Sequence, residues 1–281
     1  LKKALLKPET EAADIQQAVA TILADIERGG DAEALAYAAK FDRYPGPTRV
    51  TDEMIAQAAA QVPQKLKDDI QFAHDNVRRF AELQKATVQD FEAELLPGFV
   101  TGQKSIPVDA AGCYIPGGRY SHISSAIMTV TTAKVAGCQH ITACSPPHPD
   151  TGVAPAILNA AHVSGADQIL AMGGVQAIAA MTFGLFGLPK AHILVGPGNQ
   201  YVAEAKRQLF GRVGIDMVAG PTDSLILADA TADPHIVAND LVSQAEPGYN
   251  SPAWLVTNCK VLAEGDVDAV PTQTAELREL T

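Results

Sequence analysis

Residues 168–184 have the sequence QILAMGGVQAIAAMTFG, in which one apolar run ends at a glycine pair and a second apolar stretch follows. The first run has the length of a buried strand, and the second has the length of a helix. Strand, loop and helix in this order are typical of a parallel sheet whose helices cross back over it. Three more units have the same pattern: AGCYIPGG with the stretch after it (from 111), HITACSPP with VAPAILNAAHVSG (140–165), and HILVGPGN with YVAEAKRQLFG (192–211).

A second set of strands and helices follows these four units, and helices precede them. The second set consists of VGIDMVAGPTD, the strand SLILAD, the helix PHIVANDLVSQAE and the strand PAWLVT, from 213 to 257. The sequence therefore predicts an α/β protein with two open Rossmann-like parallel-sheet domains and a helical N-terminal segment. The expected parts are a helical N-terminal part at 1–110 that packs with the first α/β domain, that domain at 111–221, and a second, incomplete α/β domain at 222–281.

The N-terminal helices are predicted from apolar residues that recur at helical spacing. One apolar face precedes Gly29-Gly30, and the glycine pair is expected to end that helix. A longer helix is expected from about Pro63. The first face contains Ile15, Val19, Ile22, Leu23 and Ile26, and the second contains Leu66, Ile70, Ala73, Val77 and Phe80.

Composition narrows the class of protein. The 281 residues include 21 basic and 32 acidic ones, a formal net charge of −11, which argues against nucleic acid or an anionic membrane as a partner. Residues 168–189 carry no charge, but glycines interrupt them, so they predict strand, turn and buried helix rather than a membrane span. The chain begins without the apolar region of a secretory signal.

The four cysteines point to a reducing compartment. Cys113, Cys138, Cys144 and Cys259 show neither C-x-x-C spacing nor a dense framework, and each lies in or beside an apolar run. This is the pattern of reduced core thiols, so a cytoplasmic location is expected.

The loops after the strands concentrate glycine, proline and single polar residues. Glycine lets a ligand approach the backbone, and the carboxyl ends of parallel strands share one edge of a sheet. No G-x-G-x-x-G fingerprint is present. Four such loops together predict one shared ligand cleft, with Tyr114, Gln176, Asn199 and Thr222 as its polar residues.

Taken in order, these motifs resemble the histidinol dehydrogenase family. The resemblance implies an NAD-dependent, zinc-containing homodimer that oxidises a primary alcohol to a carboxylate in two hydride transfers, through a bound aldehyde. It implies NAD contacts for Tyr114, Gln176 and Asn199, substrate contacts for Thr222 and Gln244, and a zinc contact for Gln244. The motifs are FDR (41–43), YIPGG, AKVAG, the paired prolines at 146–147, MGGVQAIAA, VGPGN, IDMVAGPTD and SQAE.

The segment SQAEPG at 243–248 departs from the family pattern. The resemblance implies a zinc-binding histidine after SQAE, whereas this chain has Pro247, which has no donor atom for a metal. Pro247-Gly248 is also an effective helix stop. The family's catalytic Glu-His pair is expected beyond residue 281.

Arg119 bears on the choice of substrate. GGRYSHISSAIMTVTTAKVAG (117–137) resembles the sulfopropanediol dehydrogenase branch, which oxidises 2,3-dihydroxypropane-1-sulfonate to 3-sulfolactate. An arginine suits a sulfonate, and it gives no benefit to cationic histidinol. A surface position or pairing with a cofactor phosphate are the other interpretations of Arg119. Oxidation of L-histidinol to L-histidine, and a degenerate member that binds NAD or a metabolite without turnover, remain alternatives.

Overall fold

A five-stranded parallel sheet covered by helices forms the first of two units, Leu1–Gly220 and Pro221–Thr281. The computed structural model describes residues 9–117, 122–218, 223–245 and 252–264. The elements of the first unit are α1 (Glu9–Phe41), α2 (Asp52–Gln61), α3 (Gln64–Ala86), β1 (Phe91–Leu96), β2 (Phe99–Gln103), β3 (Ala110–Tyr114), α4 (Ile123–Ala136), β4 (His140–Ser145), α5 (Pro155–Ser164), β5 (Gln168–Ala171), α6 (Gly174–Phe183), β6 (Ile193–Val195), α7 (Gln200–Leu209) and β7 (Gly214–Ile215).

The sheet has the strand order β5-β4-β3-β6-β7, and every pair in it is parallel. The chain first moves outward from β3 to β5, and then returns to place β6 on the other side of β3. This reversal is the switch point of a doubly wound sheet, next to which ligands bind. All five residues of β3 are buried, as expected of a strand covered on both faces.

Two layers of helices cover the sheet. On one face α1, α6 and α7 share a core that includes Val19, Ile26, Ile178 and Val202. On the other face a second core joins residues of α2 to α5 and includes Ile70, Ile127 and Ile157. Within the described residues no helix is both long and apolar enough to cross a membrane.

Two details of the N-terminal helices can be compared with the sequence. Gly30 has non-helical angles inside α1 (φ 59°, ψ −142°), so the expected break at the glycine pair is confirmed as a kink. In α3, Ile70 is buried as expected, but the Phe80 side chain is 63% exposed. The expectation that Phe80 shares the apolar stripe with Ile70 in the core is therefore wrong, because the covered face of α3 passes through the buried Ala81 and Phe80 lies outside it.

A hairpin follows α3. β1 and β2 are antiparallel, and Gly98 has φ +78° in the turn between them. Both strands are almost wholly exposed, including several large apolar side chains: Phe91, Leu95, Leu96, Phe99 and Val100.

The second unit contains β8 (Ser224–Ala228), α8 (Pro234–Ala245), β9 (Ala253–Thr257) and α9 (Lys260–Glu264). Strands β8 and β9 are parallel, with Ser224 opposite Ala253 and Ala228 opposite Thr257. Helix α8 is therefore the crossover that a parallel pair requires. Parallel sheets in both units and a helical N-terminal segment confirm the predicted fold class.

Candidate functional site

A cleft of about 900 Å³ opens in the first unit, at the carboxyl ends of β3, β4 and β5 and in front of α7. Its position at the switch point is where a doubly wound sheet binds ligands. Tyr114, Gln176 and Asn199, which the sequence grouped as polar residues of one cleft, all line it. The other lining residues include the proline-rich loop after β4 and the end of α1: Pro146, Pro147, His148, Pro149, Phe41 and Asp42.

Tyr114 is the last residue of β3 and is buried. The backbone N–H of Gly174 donates to Tyr114 Oη over 3.1 Å. Burial raises the pKa of Tyr114, so its hydroxyl stays protonated at neutral pH. Tyr114 thus joins the end of β3 to the first turn of α6.

Gln176 is held by an acidic residue that the sequence did not single out. Its Nε2 donates to Asp42 Oδ2 over 3.1 Å, and the Gly173 N–H donates to the same oxygen over 3.2 Å. Burial raises the pKa of Asp42, while these two hydrogen bonds act in the opposite direction. Asp42 belongs to the FDR motif, and an acidic residue directly after an apolar helix was the signal that could have identified it.

Asn199 is the N-cap of α7. Its Oδ1 accepts hydrogen bonds from the Tyr201 and Val202 N–H groups over 3.0 and 3.1 Å. Because the side-chain oxygen is engaged in this cap, a ligand in the cleft would meet the Nδ2 amide instead.

An ion pair between a buried lysine and an exposed aspartate fixes the turn that carries Asn199. Lys206, which is 1% exposed, pairs with Asp216 and donates from Nζ to the Gly196 carbonyl over 2.9 Å. The Gly196 N–H donates to Asp216 Oδ2 over 2.8 Å. Gly196 has φ +112°, and a Cβ there would lie 2.0 Å from the Tyr114 carbonyl oxygen. Only glycine lets the turn after β6 approach the end of β3 so closely.

Of the residues expected to bind substrate or zinc, Gln244 alone is described. It lies near the end of α8 in the second unit, where its Oε1 accepts a hydrogen bond from Ser224 Oγ over 3.0 Å. Arg119, Thr222 and Pro247 fall outside the described residues.

The two cofactors that the family resemblance implies differ in how well the described residues fit them. The cleft is concave, has glycine turns and is large enough for a nucleotide ligand, so NAD fits it. The described part of the chain has no comparable site for zinc, because no group of three or more His, Cys, Asp or Glu in it could hold a metal ion. Gln244, to which the resemblance assigns a zinc contact, could contribute one amide oxygen.

The fold and the cleft define a doubly wound α/β protein with a ligand site at its switch point. The model of the family described as histidinol dehydrogenase matches residues 5–280. The chain belongs to the histidinol dehydrogenase family, which confirms the resemblance found in its motifs.

Similar proteins include both named enzymes and a solved structure. The chain is 70% identical to sulfopropanediol 3-dehydrogenase of Ruegeria pomeroyi over 280 residues, 100% of this chain and 64% of that protein. It is 57% identical to a histidinol dehydrogenase homolog of the same organism, covering 97% of this chain and 62% of that one. The crystal structure of histidinol dehydrogenase from Elizabethkingia anophelis matches with a TM-score of 0.82 and 38% identity, over 94% of this chain and 60% of that one. The chain thus spans less than two thirds of the length of each.

Proposed function

We propose that this protein is an NAD-dependent dehydrogenase that oxidises the primary alcohol of 2,3-dihydroxypropane-1-sulfonate, through a bound aldehyde, to the carboxylate of 3-sulfolactate. The observation that carries the proposal is the 70% identity to sulfopropanediol 3-dehydrogenase along the whole of this chain. Identity to the solved histidinol dehydrogenase is 38%, which favours the sulfonate over histidinol as substrate.

The cleft of the first unit supports NAD as the cofactor. When bound, NAD would accept hydride from the alcohol carbon. The Nδ2 amide of Asn199 and the amide of Gln176 would hold its polar groups, and the buried Tyr114 would keep the turn before α6 in place. The apolar and proline-rich walls would pack against the dinucleotide. The second oxidation would use a second NAD as hydride acceptor and a water molecule that adds to the aldehyde and supplies the second carboxylate oxygen.

Three further residues extend the proposal to the substrate. Arg119 would pair with the sulfonate, because a guanidinium fork matches an anion with three acceptor oxygens. Thr222 and Gln244 would contact the substrate's hydroxyl groups. Zinc is proposed for the whole protein, with Gln244 as one donor, and no chemical step is assigned to it.

Assembly and location complete the proposal. The exposed apolar side chains of the β1–β2 hairpin, among them Phe91, Leu96 and Phe99, are the kind of surface that a second copy covers, which supports a homodimer. The free cysteines, three of which are buried, support a reducing cytoplasmic environment.

The test is NADH formation by the full-length protein supplied with zinc, with 2,3-dihydroxypropane-1-sulfonate and L-histidinol as parallel substrates. We expect turnover of the sulfonate and none of histidinol. Turnover of histidinol alone would contradict the choice of substrate. If NAD binds but neither substrate is oxidised, the protein is a binding member without turnover.

A further inference from the structure

Asp42 has a position that its tethering role does not fully explain. It follows the end of the apolar face of α1, yet its carboxyl group lies in the cleft against the turn between β5 and α6. Both of its protein hydrogen bonds, from Gly173 and Gln176, reach Oδ2. Among the described residues, Oδ1 has no hydrogen-bond donor.

Oδ1 of Asp42 lies near the ends of β4 and β5. A Cβ added to Gly173 would lie 2.7 Å from Pro146 Cβ and 2.9 Å from Asp42 Oδ1. Pro146 directly follows β4, so Oδ1 lies at the carboxyl end of that strand. Both distances are shorter than van der Waals contact, so a side chain on Gly173 would displace Pro146 or the Asp42 carboxyl group.

In a doubly wound dinucleotide site, the end of the second strand has a defined function. An acidic residue there accepts hydrogen bonds from the ribose hydroxyls of the adenosine half, whereas sites for the 2′-phosphorylated cofactor use an arginine. Counted within this sheet, β3 is the first strand and β4 the second. The end of β4 carries Pro146 and Pro147 instead of an acidic residue, and the carboxylate at that place comes from Asp42.

The charges around the cleft agree with a ligand that lacks the extra phosphate. No lysine or arginine occurs among the described residues that line it, and His148 is their one titratable base. A 2′-phosphate beside Asp42 would meet its carboxylate, and no lysine or arginine among the described lining residues would compensate the repulsion.

We propose that Asp42 binds the adenosine ribose hydroxyls through Oδ1 and selects NAD against NADP. The inference rests on the proposed cofactor. It assigns to α1 a function that the second strand performs in ordinary dinucleotide domains. Oδ2 holds Gln176 and the turn at Gly173, and Oδ1 faces the ribose.

The experiment is an equilibrium titration of the full-length protein with NAD⁺ and with NADP⁺, in wild type and in Asp42→Asn. Asparagine keeps the shape of the side chain and an oxygen that can accept from Gly173 and Gln176, but it removes the charge. We expect wild type to prefer NAD⁺, and the ratio of the two dissociation constants to narrow about tenfold or more in the variant.

Asp150→Asn is the matched control, because it removes the same charge from the exposed loop that follows β4. Solvent screens the charge at this position, so the ratio of the dissociation constants for NAD⁺ and NADP⁺ should change less than about twofold. If the ratio of the two dissociation constants narrows equally in both variants, the selectivity depends on net charge, and the role of Asp42 is overturned.

A titration of wild type with the 2′-deoxyadenosine analogue of NAD⁺ needs no variant and decides the question if Asp42→Asn does not fold. Loss of the hydroxyl should weaken binding about tenfold. Equal affinity for NAD⁺ and the analogue, or an unchanged ratio in Asp42→Asn, would overturn the role of Asp42 and leave the proposed function intact. Failure of wild type to bind either dinucleotide would overturn both.

Discussion

The two units of the chain differ in how their candidate binding residues are arranged. In the first unit, side chains from three separate segments meet around one cleft, and each is fixed by its own partner: Tyr114 by Gly174, Gln176 by Asp42, Asn199 by the first turn of α7. In the second unit, Gln244 contacts Ser224, and no group of three or more His, Cys, Asp or Glu in the described part of the chain could hold a metal ion.

This difference separates two kinds of requirement. A cofactor cleft depends on close backbone approach and on fixed turns, which the parallel sheet of the first unit supplies. A metal site depends on several donor side chains at one point, so replacement of one of them removes a donor. The variants described next test whether the stability of the first unit depends on its turns. They also test whether the second unit lacks only one zinc-binding side chain.

The largest effect is expected for Gly196→Ala. The new Cβ would lie 2.0 Å from the Tyr114 carbonyl oxygen, so β3 and the turn after β6 must move apart. We expect a loss of about 4 kcal/mol or more in the free energy of unfolding, measured by denaturant titration. Gly211→Ala is the control, because Gly211 has φ +94° but nothing within 4 Å, and it should cost only about 1 kcal/mol. Equal losses in the free energy of unfolding for the two variants would contradict the importance of the close approach between Gly196 and Tyr114.

Lys206→Met tests the ion pair of the buried lysine beneath the same turn. Removal of the cation leaves the Asp216 carboxylate and the Gly196 carbonyl without their partner. The expected loss is about 2–3 kcal/mol in the free energy of unfolding, because water can solvate the exposed carboxylate and the main cost is the lost hydrogen bond to the Gly196 carbonyl. Arg207→Met, at the next position of α7, removes an exposed pair with Glu204 and should cost less than about 1 kcal/mol. A small loss in Lys206→Met would mean that the turn is held without the pair.

Pro247→His addresses the second unit. It adds an imidazole three residues after Gln244, the donor that the family pattern has and this chain lacks. Zinc affinity of the full-length protein, measured by competition with a chromophoric chelator, should rise by a factor on the order of ten. Pro252→His adds a histidine at the start of β9 and controls for unspecific binding. Equal affinities in the two variants would mean that the site lacks more than one donor.

The smallest effect is expected on the pH dependence of stability in Asp42→Asn. Because burial raises the pKa of Asp42 in the folded protein, this residue's contribution to stability is complete below its unfolded pKa of about 4 and is lost as pH rises through the folded value. Asparagine does not titrate there. The melting temperature of the variant relative to wild type should therefore rise from acidic to neutral pH. A constant difference across this range would contradict the burial of an ionised Asp42.

Most of the fold and part of the site could be predicted from the sequence. The alternation of apolar runs with glycine loops predicted the parallel sheet and grouped Tyr114, Gln176 and Asn199, because strand ends in a parallel sheet share one edge. Local pattern could not predict the function of Asp42, whose partners Gly173 and Gln176 lie more than 130 residues away in the chain. The pairing of Lys206 with Asp216 also depends on tertiary contact.

The central claim is that NAD binds in the cleft of the first unit. Hydrogen–deuterium exchange of the full-length protein, with and without saturating NAD⁺, tests it most directly. The predicted result is slower exchange in peptides that cover 114–117, 173–176 and 196–201, with no comparable change in β8 and β9. Slower exchange confined to other segments, or no change in these three turns while NAD⁺ is bound, would contradict it.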